Sequence, residues 1–214
     1  MRLRNNPKAL DILEENKEFV VLEPTKFKNK WSQVFNNDHP IYIEVGMGKG
    51  DFIYNNAVKY PDINFIGIEK YPSVLAIATK KVQTSGVLPN LRLMSYDAIE
   101  LLEVFEENEI SLVYLNFSDP WPKSRHAKRR LTSETFLPIY QNIINQQGHL
   151  EFKTDNRGLF EYSLVSFQNY GMKFEQVFLD LHQTVEAENN IMTEYERKFC
   201  EKGPIYKFVG RFEA

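Results

Sequence analysis

Beyond Pro40 the apolar positions alternate between short continuous runs and helically spaced stripes, which predicts strands and helices in turn. Strands are expected over residues 41–45, 64–69, 91–95, 110–116, 148–154, 173–179 and 204–212. Helices are expected over 51–59, 73–84, 98–107, 133–145 and 159–170. Pro138 falls inside the fourth of these, so that helix either starts late or kinks. The order argues for an α/β fold, a mostly parallel seven-stranded sheet with helices on both faces. Ligands of such folds sit at the carboxyl ends of the strands. Residues 1–38 stand outside the rhythm. They are polar, helical only around 9–17, and read as a basic, partly flexible extension ahead of a main domain over 39–214.

Composition narrows the class. A chain of 214 residues, 43% hydrophobic and 14% aromatic, can bury one large core and is globular. No apolar segment approaches the ~20 residues needed to cross a bilayer. The N-terminus has no apolar secretory region. A cytoplasmic protein without membrane association is expected, and the single Cys200 reads as a reduced thiol. A formal net charge of −3 does not announce a nucleic-acid partner. The charge is segregated, however, and phosphate contacts depend on the local field within ~10 Å. Cations cluster at 123–130, at 26–30 and at Arg2, Arg4 and Lys8, while acids gather at Glu100, Glu103, Glu106, Glu107 and Glu109.

The stretch 116–130 carries the strongest chemical signal. It leaves the expected fourth strand as Asn116-Phe117-Ser118-Asp119, then Pro120 and Pro122 bracket Trp121 and stiffen the turn. Behind it, Lys123, Arg125, Lys128, Arg129 and Arg130 surround His126. A carboxylate and an aromatic ring at a strand end, backed by a cationic loop, suggest a reactive site beside an anion-binding surface.

A second signal precedes it. Gly46, Gly48 and Gly50 follow the first strand and open a helix, where glycine lets the backbone turn and approach a ligand closely. Glu69 ends the next strand, at the spacing where a carboxylate accepts from ribose hydroxyls. A dinucleotide loop needs a third glycine where this chain has Asp51, which disfavours a nicotinamide-dependent oxidoreductase. Glu44, Glu69, Asp97 and Asp119 come from four successive strand ends. Four carboxylates repel a pyrophosphate and attract an ammonium or sulfonium, which suits S-adenosylmethionine.

The segments 44–50, 116–130 and 193–196 resemble the tRNA (guanine-N7)-methyltransferase family of bacteria, over nearly the whole chain from Pro40 to Phe212. The resemblance implies a class I, Rossmann-like methyltransferase that uses S-adenosylmethionine to methylate a guanosine in the variable loop of tRNA. It implies cofactor contacts at Glu44, the loop of Gly46, Gly48 and Gly50, Glu69, Asp97 and Asp119, with Asp119 also catalytic. It implies substrate contacts at Lys123, Asp155, Thr193, Glu194, Tyr195 and Glu196, and RNA contacts at Arg125, His126, Lys128, Arg129 and Arg130. The family includes monomers and homodimers.

The implied chemistry agrees with the residue types. Guanine N7 has a lone pair and no proton, so the tasks are alignment and management of charge. Asp119 either stabilises the cation that develops on the ring or orients the cofactor. The N1–H and N2–H₂ donors of guanine ask for acceptors, for which Asp155 and Glu196 are candidates. Glu196 is equally well read as a surface charge beside Arg197 and Lys198. Trp121 either stacks on a base or packs against the sheet. The four histidines and Cys200 show no ligand spacing, so no metal is expected.

Overall fold

A computed structural model describes residues 6–213; Arg2 and Arg4 of the expected N-terminal basic cluster lie outside the described residues. The chain divides into two compact units between Glu106 and Glu107.

The first unit contains α1 (Ala9–Glu15), α2 (Trp31–Phe35), β1 (Ile41–Val45), α3 (Asp51–Lys59), β2 (Asn64–Glu69), α4 (Pro72–Ser85) and β3 (Leu91–Ser95). Its strands pair in parallel in the order β3-β2-β1. Every residue of β2 is buried, as a central parallel strand covered on both faces requires. The residues before Pro40 contribute to this core. α1 packs on α4, and the chain at Phe19–Val21 exchanges backbone hydrogen bonds with Leu93 at 2.9 and 2.8 Å. Trp31 is fully buried, its ring 5.5 Å from Phe105 and its Nε1 donating to the Val104 carbonyl at 3.1 Å. At ~25 cal/mol per Å² an indole of roughly 150–250 Å² contributes on the order of 4–6 kcal/mol.

One helix differs from expectation. Residues 98–107 do not form an α-helix; Ala98–Glu103 is a 3-10 helix capped by Asp97, which accepts from Ile99 N. Glu100, Glu103, Glu106 and Glu107 would crowd like charges at three- and four-residue spacing on one α-helix. Leu101, Val104 and Phe105 are fully buried without it.

The second unit contains β4 (Ile110–Asn116), α5 (Leu137–Ile143), β5 (Ile144–Thr154), α6 (Arg157–Tyr170), β6 (Met172–Phe178), α7 (Glu194–Phe199) and β7 (Tyr206–Phe212). Its strand order is β4-β5-β7-β6, with β4 and β5 parallel and β7 antiparallel to both β5 and β6. Pro138 lies in the first turn of α5, where its missing N–H costs nothing; the helix starts late. β5 starts earlier than expected, at Ile144, and its register with β4 shifts between Ile110 and Leu112. Gly148 makes that shift possible, since a Cβ there would stand 2.7 Å from the Ser111 carbonyl. Phe152, Phe160, Phe167 and Phe208 fill the core, with Phe167 and Phe208 stacked at 4.5 Å.

The seven strands make a mostly parallel sheet flanked by helices, with the antiparallel component confined to β7. Among the described residues no helix is long and apolar enough to cross a membrane.

Candidate functional site

In the first unit the glycine loop lies across the carboxyl edge of β1 and β2. Gly46 N and Met47 N both donate to the Ile68 carbonyl, at 2.9 and 3.0 Å, which folds the loop back over β2. Gly46, Gly48 and Gly50 have φ of 78°, 58° and 79°, all in the left-handed region that favours glycine. Among the described residues a Cβ at Gly48 would meet nothing within 4 Å, so the loop's backbone is open to a ligand at that point.

Glu69 anchors this loop. Its Oε2 accepts from Gly48 N at 3.1 Å and its Oε1 from Tyr71 N at 3.0 Å. These two bonds orient the carboxylate at the edge of the loop. Asp97 follows β3 and caps the 3-10 helix; its Oδ2 lies 2.5 Å from Lys70 Nζ. That hydrogen bond is the main reason the exposed Lys70 ammonium holds its proton above its usual range. Glu44 lies within β1 opposite Gly67 and is 2% exposed. The unit therefore brings the loop, Glu69, Lys70 and Asp97 to one strand edge. A glycine-rich backbone cradle beside carboxylates fits a cofactor that is cationic and rich in hydroxyl and amine donors.

In the second unit β4 delivers Asn116, and Phe117 N then donates to the Lys153 carbonyl at 2.8 Å. Phe117 and Trp121 have φ of 50° and 40°, values uncommon for bulky residues, and they flank Asp119 symmetrically. Such strain, on the order of 1–3 kcal/mol per residue, gathers where a site must hold a set geometry. Asp119 is exposed. Ser118 Oγ, beside it, is buried and among the described residues has no hydrogen-bond partner, an orphan that a ligand could satisfy.

Along the basic loop, Lys123, Arg125, Lys128 and Arg129 are exposed and His126 is half-buried. His126 meets the Trp121 ring edge-on at 5.8 Å, and the Arg129 guanidinium lies over the same ring at 4.9 Å. Trp121 thus packs with the loop's own side chains. Arg130 is half-buried and turned inward, donating to the carbonyls of Pro120 and Trp121, both at 3.0 Å.

At the end of β5, Asp155 is exposed and its Oδ2 accepts from the Tyr195 hydroxyl at 2.9 Å. Burial and that bond raise the Tyr195 hydroxyl's pKa. The Tyr195 ring stacks on Phe199 at 4.3 Å and lies 5.2 Å from Phe117. Glu194 pairs with Lys198 along α7.

Glu196 is placed differently from its neighbours. It is fully buried, so it is not a surface charge. Oε2 accepts from Lys153 Nζ at 2.8 Å, and Oε1 from Asn190 Nδ2 at 2.7 Å with His182 Nε2 at 3.0 Å. Lys153 Nζ also donates to Asn190 Oδ1 and the Ile191 carbonyl, at 2.9 and 3.1 Å. Burial pushes the Lys153 pKa down. Burial also pushes the Glu196 carboxyl up, but Lys153 and the hydrogen bonds outweigh it and leave the carboxyl below its ordinary range. Thr193 and Glu196 complete a capping box for α7. The pattern Thr-x-x-Glu was the one local cue to this helix, which sequence reasoning missed.

The same unit has a cavity of about 420 Å³ at the opposite, amino end of β5, lined by residues such as Asn108, Gln141, Asn145 and Phe212. Its charged lining residues are Glu107 and Glu213. Among the described residues no three His, Cys, Asp or Glu side chains cluster as metal ligands do.

A methyltransferase family model (Methyltransf_4) matches residues 38–208. A tRNA (guanine-N(7)-)-methyltransferase of Pediococcus pentosaceus is 54% identical over 99% of this chain and 100% of its own length. The enzyme of the same name from Streptococcus sanguinis is 52% identical over the full length of both. Among solved structures, an antibiotic-related methyltransferase covers 86% of this chain and 94% of its own, with 17% identity and a TM-score of 0.65. The 16S rRNA methyltransferase KamB covers 87% and 94%, with 14% identity and a TM-score of 0.65. At such identities the likeness shows the fold alone, that of a class I, Rossmann-like methyltransferase.

Proposed function

The chain belongs to the tRNA (guanine-N(7)-)-methyltransferase family, and from that premise we propose how its residues carry the reaction. The enzyme transfers the methyl group of S-adenosylmethionine to N7 of a guanosine in tRNA, giving 7-methylguanosine. The guanosine lies in the variable loop. The enzyme acts in the cytoplasm, as a monomer or a homodimer. The observation that carries this reading is the match at 52–54% identity over essentially the entire chain.

Cofactor binding falls to the first unit. Glu69, oriented by Gly48 N and Tyr71 N, accepts from ribose hydroxyls. Asp97 accepts from the adenine amine, and the Gly46–Gly48–Gly50 loop lets the backbone approach. Glu44 contributes negative charge toward the cofactor's cationic groups. When bound, the cofactor supplies an electrophilic methyl group.

The second unit handles the base and the RNA. N7 is already a free lone pair, so no general base is required. Asp119, held between two strained residues, offsets the positive charge that develops on the ring. Asp155, oriented by Tyr195, accepts from the guanine N1–H and N2–H₂. Thr193, Glu194 and Tyr195 line the substrate, while the buried Glu196 fixes that segment to β5. Lys123, Arg125, His126, Lys128 and Arg129 meet phosphates. Methyl transfer to unmodified tRNA, followed by nucleoside analysis, tests the reading.

A further inference from the structure

Arg130 closes the basic run and shares its composition, yet the structure spends its guanidinium on protein. Nε donates to the Pro120 carbonyl and Nη2 to the Trp121 carbonyl, both at 3.0 Å. The flat face of the same group lies 4.1 Å from the centre of the Tyr162 ring, on α6. The Nε–Nη2 edge is one of the two that pair bidentately with a phosphate, and here two carbonyls occupy it. By contrast Lys123, Arg125, Lys128 and Arg129 remain exposed.

The two carbonyls belong to the residues that directly follow Asp119. Prolines at 120 and 122 remove two N–H donors from this turn, and Trp121 sits at a φ of 40°. A turn short of its own donors and bent at a bulky residue has to be held from outside. A planar fork with donors on one edge and an aromatic ring behind it does so in one geometry. Lysine cannot replace it, because a single ammonium offers neither the fork nor the flat face.

We infer that Arg130 is a positioning residue for methyl transfer, fixing the Asp119–Trp121 turn through its carbonyls, and that it is not a phosphate contact. The inference builds on the role assigned to Asp119 under the proposed function.

The test compares wild type with Arg130→Lys and Arg130→Ala in the full chain. It reads kcat at saturating tRNA, tRNA binding against salt, and acrylamide quenching of Trp121. The quenching signal is isolated by difference from Trp121→Phe, since the other tryptophan, Trp31, is buried. Expected are a fall in kcat of at least about tenfold in both variants and easier quenching of Trp121. The salt slope for tRNA stays unchanged, and added guanidinium ion restores part of the Arg130→Ala rate. A salt slope shallower by about 0.7–0.9, as for one lost phosphate contact, overturns the inference. So does wild-type kcat in Arg130→Lys. Should Arg130→Ala fail to fold, Arg130→Lys with its melting curve decides alone. Absence of 7-methylguanosine with the wild-type enzyme is a failure of the functional reading, whereas the quenching result bears on Arg130 whatever the activity.

Discussion

Lys153 and Glu196 form a buried ion pair: Nζ stands 2.8 Å from Oε2, and the two side chains are 4% and 0% exposed. One partner ends β5 and the other lies on α7, so the pair clasps the Thr193–Glu196 segment to the strand that carries Asp155. Removing one member leaves an uncompensated buried charge, at a cost of about 3–5 kcal/mol. Lys153→Met should therefore lower the unfolding free energy by about that amount in a urea titration. A loss below about 1 kcal/mol would mean that the clasp does not hold the segment.

The same pair predicts a pH dependence. The Glu196 carboxyl is held below its ordinary value of 4.5, with the Lys153 charge and hydrogen bonds outweighing burial. The unfolded chain therefore binds the proton at higher pH than the folded one does. This contribution is whole above pH 4.5 and is lost as pH falls through the depressed folded value. The stability gap between wild type and Glu196→Gln should shrink as pH falls below about 5. A gap independent of pH down to about 3 contradicts the assignment.

How much of this was legible in the sequence depends on where the determining partner lies. β1, β2, β3 and β4 fall on the expected residues, because buried parallel strands read as apolar runs closed by turn residues. The glycine loop and Asp119 stood out because both follow such strands directly. Glu196 did not, since its partner Lys153 is 43 residues away and only the capping box is local. Arg130 looks like its basic neighbours in composition; its carbonyl partners, nine and ten residues earlier, set it apart. The 3-10 helix at Ala98–Glu103 was misread because an apolar stripe at helical spacing outweighed the crowded glutamates.

Asp119 should be essential to turnover. Asp119→Asn keeps the shape and removes the charge, so kcat should fall by about 100-fold or more. Single-turnover methylation at saturating tRNA checks this. Near-normal rates would remove Asp119 from the mechanism.

Tyr195 serves Asp155 through one hydrogen bond of 2.9 Å. Tyr195→Phe keeps the stack on Phe199 and loses that bond, worth about 1 kcal/mol, or roughly fivefold in kcat/KM for tRNA. S-adenosylmethionine affinity should not change. Equal losses for both substrates would mean that the variant disturbs more than the guanine acceptor.

The exposed cations of the central loop should act through phosphates. Replacing Lys128 and Arg129 together with Ala should weaken tRNA binding and flatten its dependence on salt by about 0.7–0.9 per contact. Cofactor affinity should be unaffected. An unchanged slope takes these two residues off the RNA surface.

The central claim is tested most directly by incubating the enzyme with labelled S-adenosylmethionine and an unmodified tRNA, then digesting the product to nucleosides. The account predicts label in 7-methylguanosine alone. Label in any other nucleoside, or none with the cofactor bound, contradicts it.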